Sequence, residues 1–337
     1  MTGHRSSGSA GDVYDEICSP QLAAARPRVS VACTTFNHEP FLRQCIESVL
    51  AQTTEFPYEM VIGEDGSSDG TRAICLEYQR RFPDRIRLLL MRRNIGSLPN
   101  WILTGRSCRG EYVAWVEGDD FWTQPDKLRR QVAFLDASPE CAMCFHPAVH
   151  VDGEGRPLGI VSPVPGRRAL YTVEDLLRYC NFIPTASVVY RRGLFGDYPD
   201  WFHDLPFGDW PLHVLNALHG QIGFLDDAMC AYRVHAGGLH SSLARLVYLE
   251  KRLRVYRVFR RVLPPGYRDS IAAGMAAQNY NLVRSCAAEN RRVAGLRHCL
   301  AGWLLYPCDK RRAAEYAGFA LKLLSGRIHA WVSRRRG

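Results

Sequence analysis

The chain has 337 residues, 47% hydrophobic and 23% charged, which is ordinary for a globular protein and long enough for one large α/β domain with an appendage, or for two domains. No apolar run approaches the roughly 20 residues of a membrane span, and the N-terminal "MTGHRSSGSAGDVYDE" lacks the apolar centre of a secretory signal. Charge divides the chain: residues 241–337 hold 20 Lys+Arg against 5 Asp+Glu and the preceding residues 23 against 29, so an acidic body meets a basic tail near residue 240.

Residues 1–27 read as a flexible N-terminal segment. "RVSVACTTF" (Arg28–Phe36) is β-rich and follows a proline. In "PFLRQCIESVLAQ" (Pro40–Gln52) Phe41, Leu42, Cys45, Ile46, Val49 and Leu50 recur at helical spacing, with Pro at a plausible first turn. "YEMVIGED" (Tyr58–Asp65) is a strand ending in acids. "SDGTRAICLEYQRRF" opens in a Ser/Asp cap region, with Asp69 as the expected N-cap, and continues as an amphipathic helix. "RIRLLLM" is a third strand, "SLPNWILTGRSC" a helix and "EYVAWVEGDD" a fourth strand. Strands separated by helices predict right-handed βαβ units and a largely parallel sheet. "CAMCFH" (Cys141, Cys144, His146) reads as an apolar strand, because no second Cys/His pair at zinc-finger spacing accompanies it. The cysteines, scattered through apolar stretches, read as small buried hydrophobes of a reducing cytosol. "LPFGDWPLHVLNALHG" sets Asp209 at the start of another amphipathic helix. Beyond residue 242 the chain reads as helical, with Arg and apolar residues alternating at helical spacing.

In a parallel sheet, ligands bind outside the carboxyl ends of the strands. Polar clusters fall there: Thr34, Thr35, Phe36 and Asn37 after the first strand, Glu64, Asp65, Gly66 and Ser67 after the second, Glu117, Gly118, Asp119 and Asp120 after the fourth. All can line one crevice. Carboxylates crowded at the end of a core strand repel one another and are costly to bury without a cation. Either the turn is solvated or a cation belongs there. No GxGxxG follows the first strand and no phosphate-binding Gly-Lys-Ser/Thr occurs, which argues against a nicotinamide enzyme and an ATPase.

"VSVACTTFNHEPFLRQCIESVLAQT", "VIGEDGSSDGT", "RNIGSLPNW" and "CRGEYVAWVEGDDFWTQPDKL", in that order, resemble the family-two inverting glycosyltransferases of GT-A fold, from about Val29 to Ser242. Thr34 departs from the pattern, which usually has Pro there. The resemblance implies an α/β GT-A domain over 28–242, with a Rossmann-like mixed, mostly parallel sheet flanked by helices, and a basic helical extension over 243–337. It also implies transfer of a sugar from a nucleotide-diphospho-sugar, a UDP-sugar in the first instance, to a hydroxyl of a saccharide or lipid-linked acceptor in polysaccharide or glycolipid synthesis. By the same match Asp120 holds Mn²⁺ or Mg²⁺, Asp119 faces the ribose and Glu117 assists. Asp65 accepts from the nucleobase imide, while Thr35 and Asn37 line the base and ribose. Asp209 is the general base, with Asp204 as the alternative. Arg233 meets the diphosphate and His235 the diphosphate or the metal, on a closing segment Ala231–Ser242 made mobile by Gly237 and Gly238. Thr185 and Ser187, beside Pro184, are exposed in the acceptor pocket. Asn94, Gly96 and Asn100 have structural roles.

Physical chemistry makes these roles coherent. A departing diphosphate is a polyanion that a divalent metal neutralises as a Lewis acid, and hard cations take carboxylate oxygens. An attacking hydroxyl must lose its proton to a base opposite the leaving group. The basic tail fits docking on anionic lipid from the cytoplasmic side, or a helical cap with solvated arginines. It shows no nucleic-acid-binding module. Two other classes are weaker. A nucleotidyltransferase would carry a Gly-rich, Arg/Lys-containing loop where "TTFNHEPF" stands, and a catalytically silent binding module would have lost Asp120 or Asp209.

Overall fold

The structure, a computed structural model, describes residues 13–238, 244–289, 291–305, 316 and 318–320. In chain order the elements are β1 Tyr14–Ile17, α1 Pro20–Ala24, β2 Val29–Thr35, α2 Leu42–Leu50, β3 Tyr58–Glu64, α3 Thr71–Arg81, β4 Ile86–Met91, α4 Ser97–Ser107, β5 Tyr112–Glu117, β6 Phe121–Trp122, α5 Lys127–Ala137 and β7 Cys141–Phe145. They continue with β8 Ala148–Val151, β9 Pro157–Val161, β10 Leu170–Tyr171, α6 Val173–Tyr179, β11 Val189–Arg191, α7 Asp209–Ala217, β12 Gln221–Phe224, β13 Cys230–Arg233, α8 Arg245–Val262, α9 Arg268–Ala288 and α10 Arg292–Leu305.

The main sheet has nine strands in the order β1-β4-β3-β2-β5-β11-β7-β12-β10. Its centre, β4-β3-β2-β5, is parallel, as strand–helix alternation requires. Antiparallel strands flank it: β1 on β4, and β11 between β5 and β7. A second sheet runs β6-β13-β8-β9. β3 is buried along its whole length and β2 at every residue but Thr34, so these strands are apolar without alternation. Val31, Cys33, Met60, Ile62 and Ala114 join Ile46, Val49, Leu128 and Val132 from α2 and α5 in one core. The register sets Thr34 opposite Glu117 and Thr35 opposite Glu64, so the polar ends of β2, β3 and β5 meet at one edge.

Two expectations need correction. Residues 14–24 are not a loose tail: β1 pairs with β4 from Tyr14↔Met91 to Ile17↔Leu88, and the Ser19 hydroxyl caps α1 by accepting the Leu22 N–H. Residues 1–12 lie outside the described residues. The mixed sheet is as expected: β12 also pairs with β7 in parallel, and β13 with β8 in the second sheet. The boundary also falls differently, because one unit comprises Met1–Val173 with Phe182–His235 and the other Glu174–Asn181 with Ala236–Gly337. The basic helices thus take α6 from the acidic body, and within that unit the Tyr256 hydroxyl donates to the Leu177 carbonyl at 2.7 Å. The same unit has its own small core of Val283, Ala287, Cys299, Tyr316 and Phe319.

Candidate functional site

At the mouth of β2 the chain turns sharply. Asn37 has φ of +53°, a left-handed conformation that Asn tolerates through its short polar side chain. Its amide donates to Ser67 Oγ at 3.0 Å and its Oδ1 accepts the Ser68 N–H at 2.9 Å. Glu39 accepts the Gly70 N–H at 2.7 Å, and Asp69 accepts the N–H groups of Glu39 and Thr71. The N-cap of α3 is therefore Gly70, and Asp69 stands one residue before it. These bonds lock the β2 mouth to the turn after β3.

That turn holds Asp65. Its two carboxylate oxygens accept the N–H groups of Ile95 at 2.8 Å and Gly96 at 3.1 Å, which orders the loop before α4. Burial raises its pKa against the pull of those bonds. Gly66 follows with φ of +70°, and a Cβ there would sit 2.6 Å from the Asn94 nitrogen. Only glycine fits both demands. Glu64, fully buried, accepts the Ser67 N–H and pairs with Arg72. Asn100 donates to the Gly63 carbonyl at 2.9 Å, the structural role expected of it.

The β5 end concentrates negative charge. The Asp120 amide donates to the Glu117 carbonyl at 2.9 Å, closing a turn that packs all three carboxylates together. Asp120, 2% exposed, accepts the backbone N–H of Arg233 through Oδ1 at 2.9 Å. Its second oxygen makes no hydrogen bond with the described residues. Burial, then Asp119 and Glu117, push the Asp120 pKa well up. Burial, then Asp119 and Asp209, push Glu117 up to about 8. Asp119 moves the other way: burial opposes its charge, but the His235 hydrogen bond (3.0 Å) and the charge of His38 (3.7 Å) hold it below the usual carboxylate value. One carboxylate is thus matched by imidazoles while two want a cation.

His38 is the residue that sequence reading passed over. Burial lowers its pKa, and its Nδ1 is buried without a partner, as is the Thr35 hydroxyl. Both lie against Gly118, where a Cβ would be 2.8 Å from His38 Nδ1 and 2.6 Å from Thr35 Oγ1. The available signal was the spacing in "TTFNH": an imidazole three residues past the buried threonine, at a strand mouth. His235 lies tilted against Phe41 with ring centroids 4.6 Å apart, and its Nε2 is 3.0 Å from Asp119 Oδ2.

Arg233 also differs from expectation. Its guanidinium donates to the carbonyls of Asp119 (2.8 Å), Asp152 (3.3 Å) and Gly153 (2.8 Å) and to Gln44 Oε1 (2.6 Å), and it lies over the rings of Phe41 and Phe121. With those bonds it braces the acidic turn, where the sequence had it reaching a diphosphate. Ser187 is corrected too. It is fully buried, its hydroxyl donates to the Pro184 carbonyl at 2.7 Å, and its carbonyl accepts from Gln131. Thr185 is half-buried at the start of the same turn. Trp122 ties that turn to the acidic one: its indole donates to the Ala186 carbonyl at 3.0 Å.

Asp209 is the first residue of α7 and lies close enough to Glu117 to raise its pKa. Beneath it on α7, burial pushes His213 down to about 4, so the ring is neutral. Asp204 is exposed in the preceding turn. Of the expected closing segment, residues 239–242 lie outside the described residues. Among the described residues no group of three or more His, Cys, Asp and Glu side chains is set to hold a metal alone. Cys141 and Cys144 lie in β7 with His146 just beyond it, and the His146 Nδ1 meets the Pro147 carbonyl.

Comparison with known proteins agrees with this architecture. The chain is 40% identical over 215 residues to the Mycobacterium tuberculosis protein Rv1520, a match covering 64% of this chain and 61% of that one. The chain thus spans about three fifths of the length of those mycobacterial relatives. It is 25% identical over 323 residues to the glycosyltransferase alr2836 of Nostoc, covering 90% and 98% of the two chains. Among solved structures it is similar to Staphylococcus aureus TarS 1–349 (TM-score 0.59, 17% identity, 89% and 92% covered). It is also similar to the mannosyltransferase PcManGT of Pyrobaculum calidifontis (TM-score 0.57, 19% identity, 91% and 89% covered). These likenesses fix the fold as GT-A. The pattern named Glycosyl transferase family 2 matches residues 30–198, half of the sequence and the part that carries β2, β3, β5 and the acidic turn, so the chain belongs to that family.

Proposed function

We propose that the protein is a metal-dependent, inverting glycosyltransferase that moves a hexosyl or N-acetylhexosaminyl group from a nucleotide-diphospho-sugar to a hydroxyl of a saccharide or lipid-linked acceptor. The observation that carries this is the β5 turn: crowded carboxylates, two of them raised in pKa, with one Asp120 oxygen free of hydrogen bonds and the Thr35 hydroxyl and His38 Nδ1 unpartnered at its rim. Such a turn is stabilised when a cation and a polar ligand enter it. The family and the relatives support the reading. TarS was solved with UDP-GlcNAc and with UDP, and PcManGT with GDP-Man and Mn²⁺. TuaG of Bacillus subtilis, 32% identical over 133 residues, is named for teichuronic acid biosynthesis.

The donor set fits a hard divalent cation, Mn²⁺ or Mg²⁺. Asp120 would hold it, with Asp119 and His235 beside it. Such cations are commonly held by one or two carboxylates plus substrate phosphates, so a preformed protein cage is not required. When bound, the cation supplies charge neutralisation for the departing diphosphate. Asp65 keeps lone pairs beyond the two N–H groups it accepts, and one of them takes the nucleobase imide. Thr35 and Asn37 line the base and ribose, and Asp119 faces the ribose. Arg233 positions the turn. Asp209 takes the proton of the attacking hydroxyl, which Thr185 helps to orient. No helix among the described residues is long and apolar enough to cross a membrane. A cytoplasmic, peripheral location through the basic C-terminal helices belongs to the same reading.

The test is release of nucleoside diphosphate from UDP-, GDP- and dTDP-sugars by the purified chain, with Mn²⁺, with Mg²⁺ and with EDTA. Release from one donor class in the presence of metal, silenced by EDTA, is expected. No release from any of them, together with no donor binding by titration, rejects the reading.

A further inference from the structure

Helix α10 keeps its small residues inside and shows several of its large ones. On α10, Gly295, Cys299 and Gly302 are buried, with Cys299 in the core beside Val283, Ala287 and Tyr316. Val293, Leu300, Trp303 and Leu304 of the same helix are 73%, 57%, 49% and 64% exposed. At 100° per residue Val293, Arg297, Leu300 and Leu304 form one stripe, with Trp303 at its edge. α10 has a core on one side only, while its other side carries large apolar residues that a fully solvated helix would not.

Cationic groups border this face. Leu304 and Leu305 share a cavity of about 480 Å³ with Met275, Arg260, Arg268 and Asp269. Among the described residues the side chains of Arg260, Arg268 and Arg297 form no ion pair or hydrogen bond. Leucine and tryptophan bordered by arginine match the boundary between acyl chains and anionic headgroups. A second copy of the chain fits worse, since it would press one segment with 20 Lys+Arg against 5 Asp+Glu onto another.

We propose that the outer face of α10 docks on an anionic bilayer, with Val293, Leu300, Trp303 and Leu304 entering the interface and Arg260, Arg268 and Arg297 meeting lipid phosphates. This deepens, and rests on, the peripheral location proposed above. The experiment is co-sedimentation of the full chain with phosphatidylglycerol/phosphatidylcholine vesicles and with pure phosphatidylcholine vesicles, at low and high salt. Binding to the anionic vesicles is expected, with a blue shift of tryptophan emission that Trp303→Phe removes. A Leu300→Asp, Trp303→Asp protein should lose roughly tenfold or more in partition, and Arg260→Glu, Arg268→Glu a similar amount at low salt. The arginine pair is solvent-facing, so it keeps the test valid if the apolar pair fails to fold. Donor cleavage in vesicle-free buffer should be unaffected by Arg260→Glu, Arg268→Glu, which separates failure of docking from failure of the glycosyltransferase reading. Equal partition of wild type and both double variants overturns the proposal. So do equal binding to neutral vesicles, and concentration-dependent dimers abolished by the same substitutions without vesicle binding.

Discussion

Asp209→Asn separates a proton-accepting role from a structural one. Asp209 opens α7, its N-cap Gly208 has no side-chain capping bond, and it is the acid of the helix's first turn. Replacement by Asn therefore removes no N-cap side-chain bond, and the charge–dipole attraction it loses is worth about 0.3–1 kcal/mol. Relief of its repulsion with Glu117 offsets part of that, because Asp209 is one of the charges raising the Glu117 pKa. These two effects together amount to no more than about 1 kcal/mol, and the urea denaturation below measures the whole change. Loss of a general base costs about 10²–10⁴-fold in rate, or about 3–5 kcal/mol of barrier. The two magnitudes do not overlap. Donor affinity should change little, since the group acts on the acceptor hydroxyl. The assay is threefold on one protein: urea denaturation, donor titration, and nucleoside diphosphate release with metal present. A rate near that of wild type refutes the assignment and moves it to Asp204. Joint collapse of rate, donor affinity and stability shows a residue holding the donor or the fold.

Asp120→Asn should lower turnover by at least about 100-fold and abolish the Mn²⁺-induced rise in melting temperature that wild type shows. Undiminished wild-type activity in EDTA would falsify the metal role. Gly66→Ala forces a Cβ into a left-handed turn against the Asn94 backbone and should cost at least about 2 kcal/mol by chemical denaturation; an unchanged midpoint would show that the 93–96 loop yields. Lys127 is fully buried, its ammonium 4.1 Å from the Trp122 ring centroid and bonded to Gln131, and burial lowers its pKa to about 8. Between pH 8 and its ordinary value the unfolded chain binds the proton that the folded one has lost, so this group penalises folding below pH 8 and less as pH rises. The stability of Lys127→Met relative to wild type should fall by about 3 kcal/mol from pH 7 to above pH 10. A pH-independent difference would show that folding leaves the Lys127 amine at its ordinary pKa, charged throughout this range.

Local pattern determined the elements around the site. "VSVACTT", "YEMVIGE" and "YVAWVE" are strands in any context that buries both faces, and the amphipathic runs between them can only be crossovers, so β2, β3 and β5 and the polarity of their ends followed from the order of residues. The crowding of Glu117, Asp119 and Asp120 was visible because it needs no partner to be improbable. Other features depend on residues far apart in the chain. The segment Tyr14–Ile17 became a strand by pairing with β4, some 70 residues on. The short β11 was inserted antiparallel between β5 and β7, a ladder that no local pattern encodes. Ser187 looked like an exposed hydroxyl but is buried because Gln131 and Pro184 satisfy it. Arg233 looked like an anion ligand, but carbonyls from two distant loops and Gln44 take its donors. His38 gained meaning only when β2 and β5 brought it to Gly118 and Asp119. The sequence carries the propensities and the charge. Burial, and the partners that decide whether a polar group is satisfied, exist only once the strands are side by side.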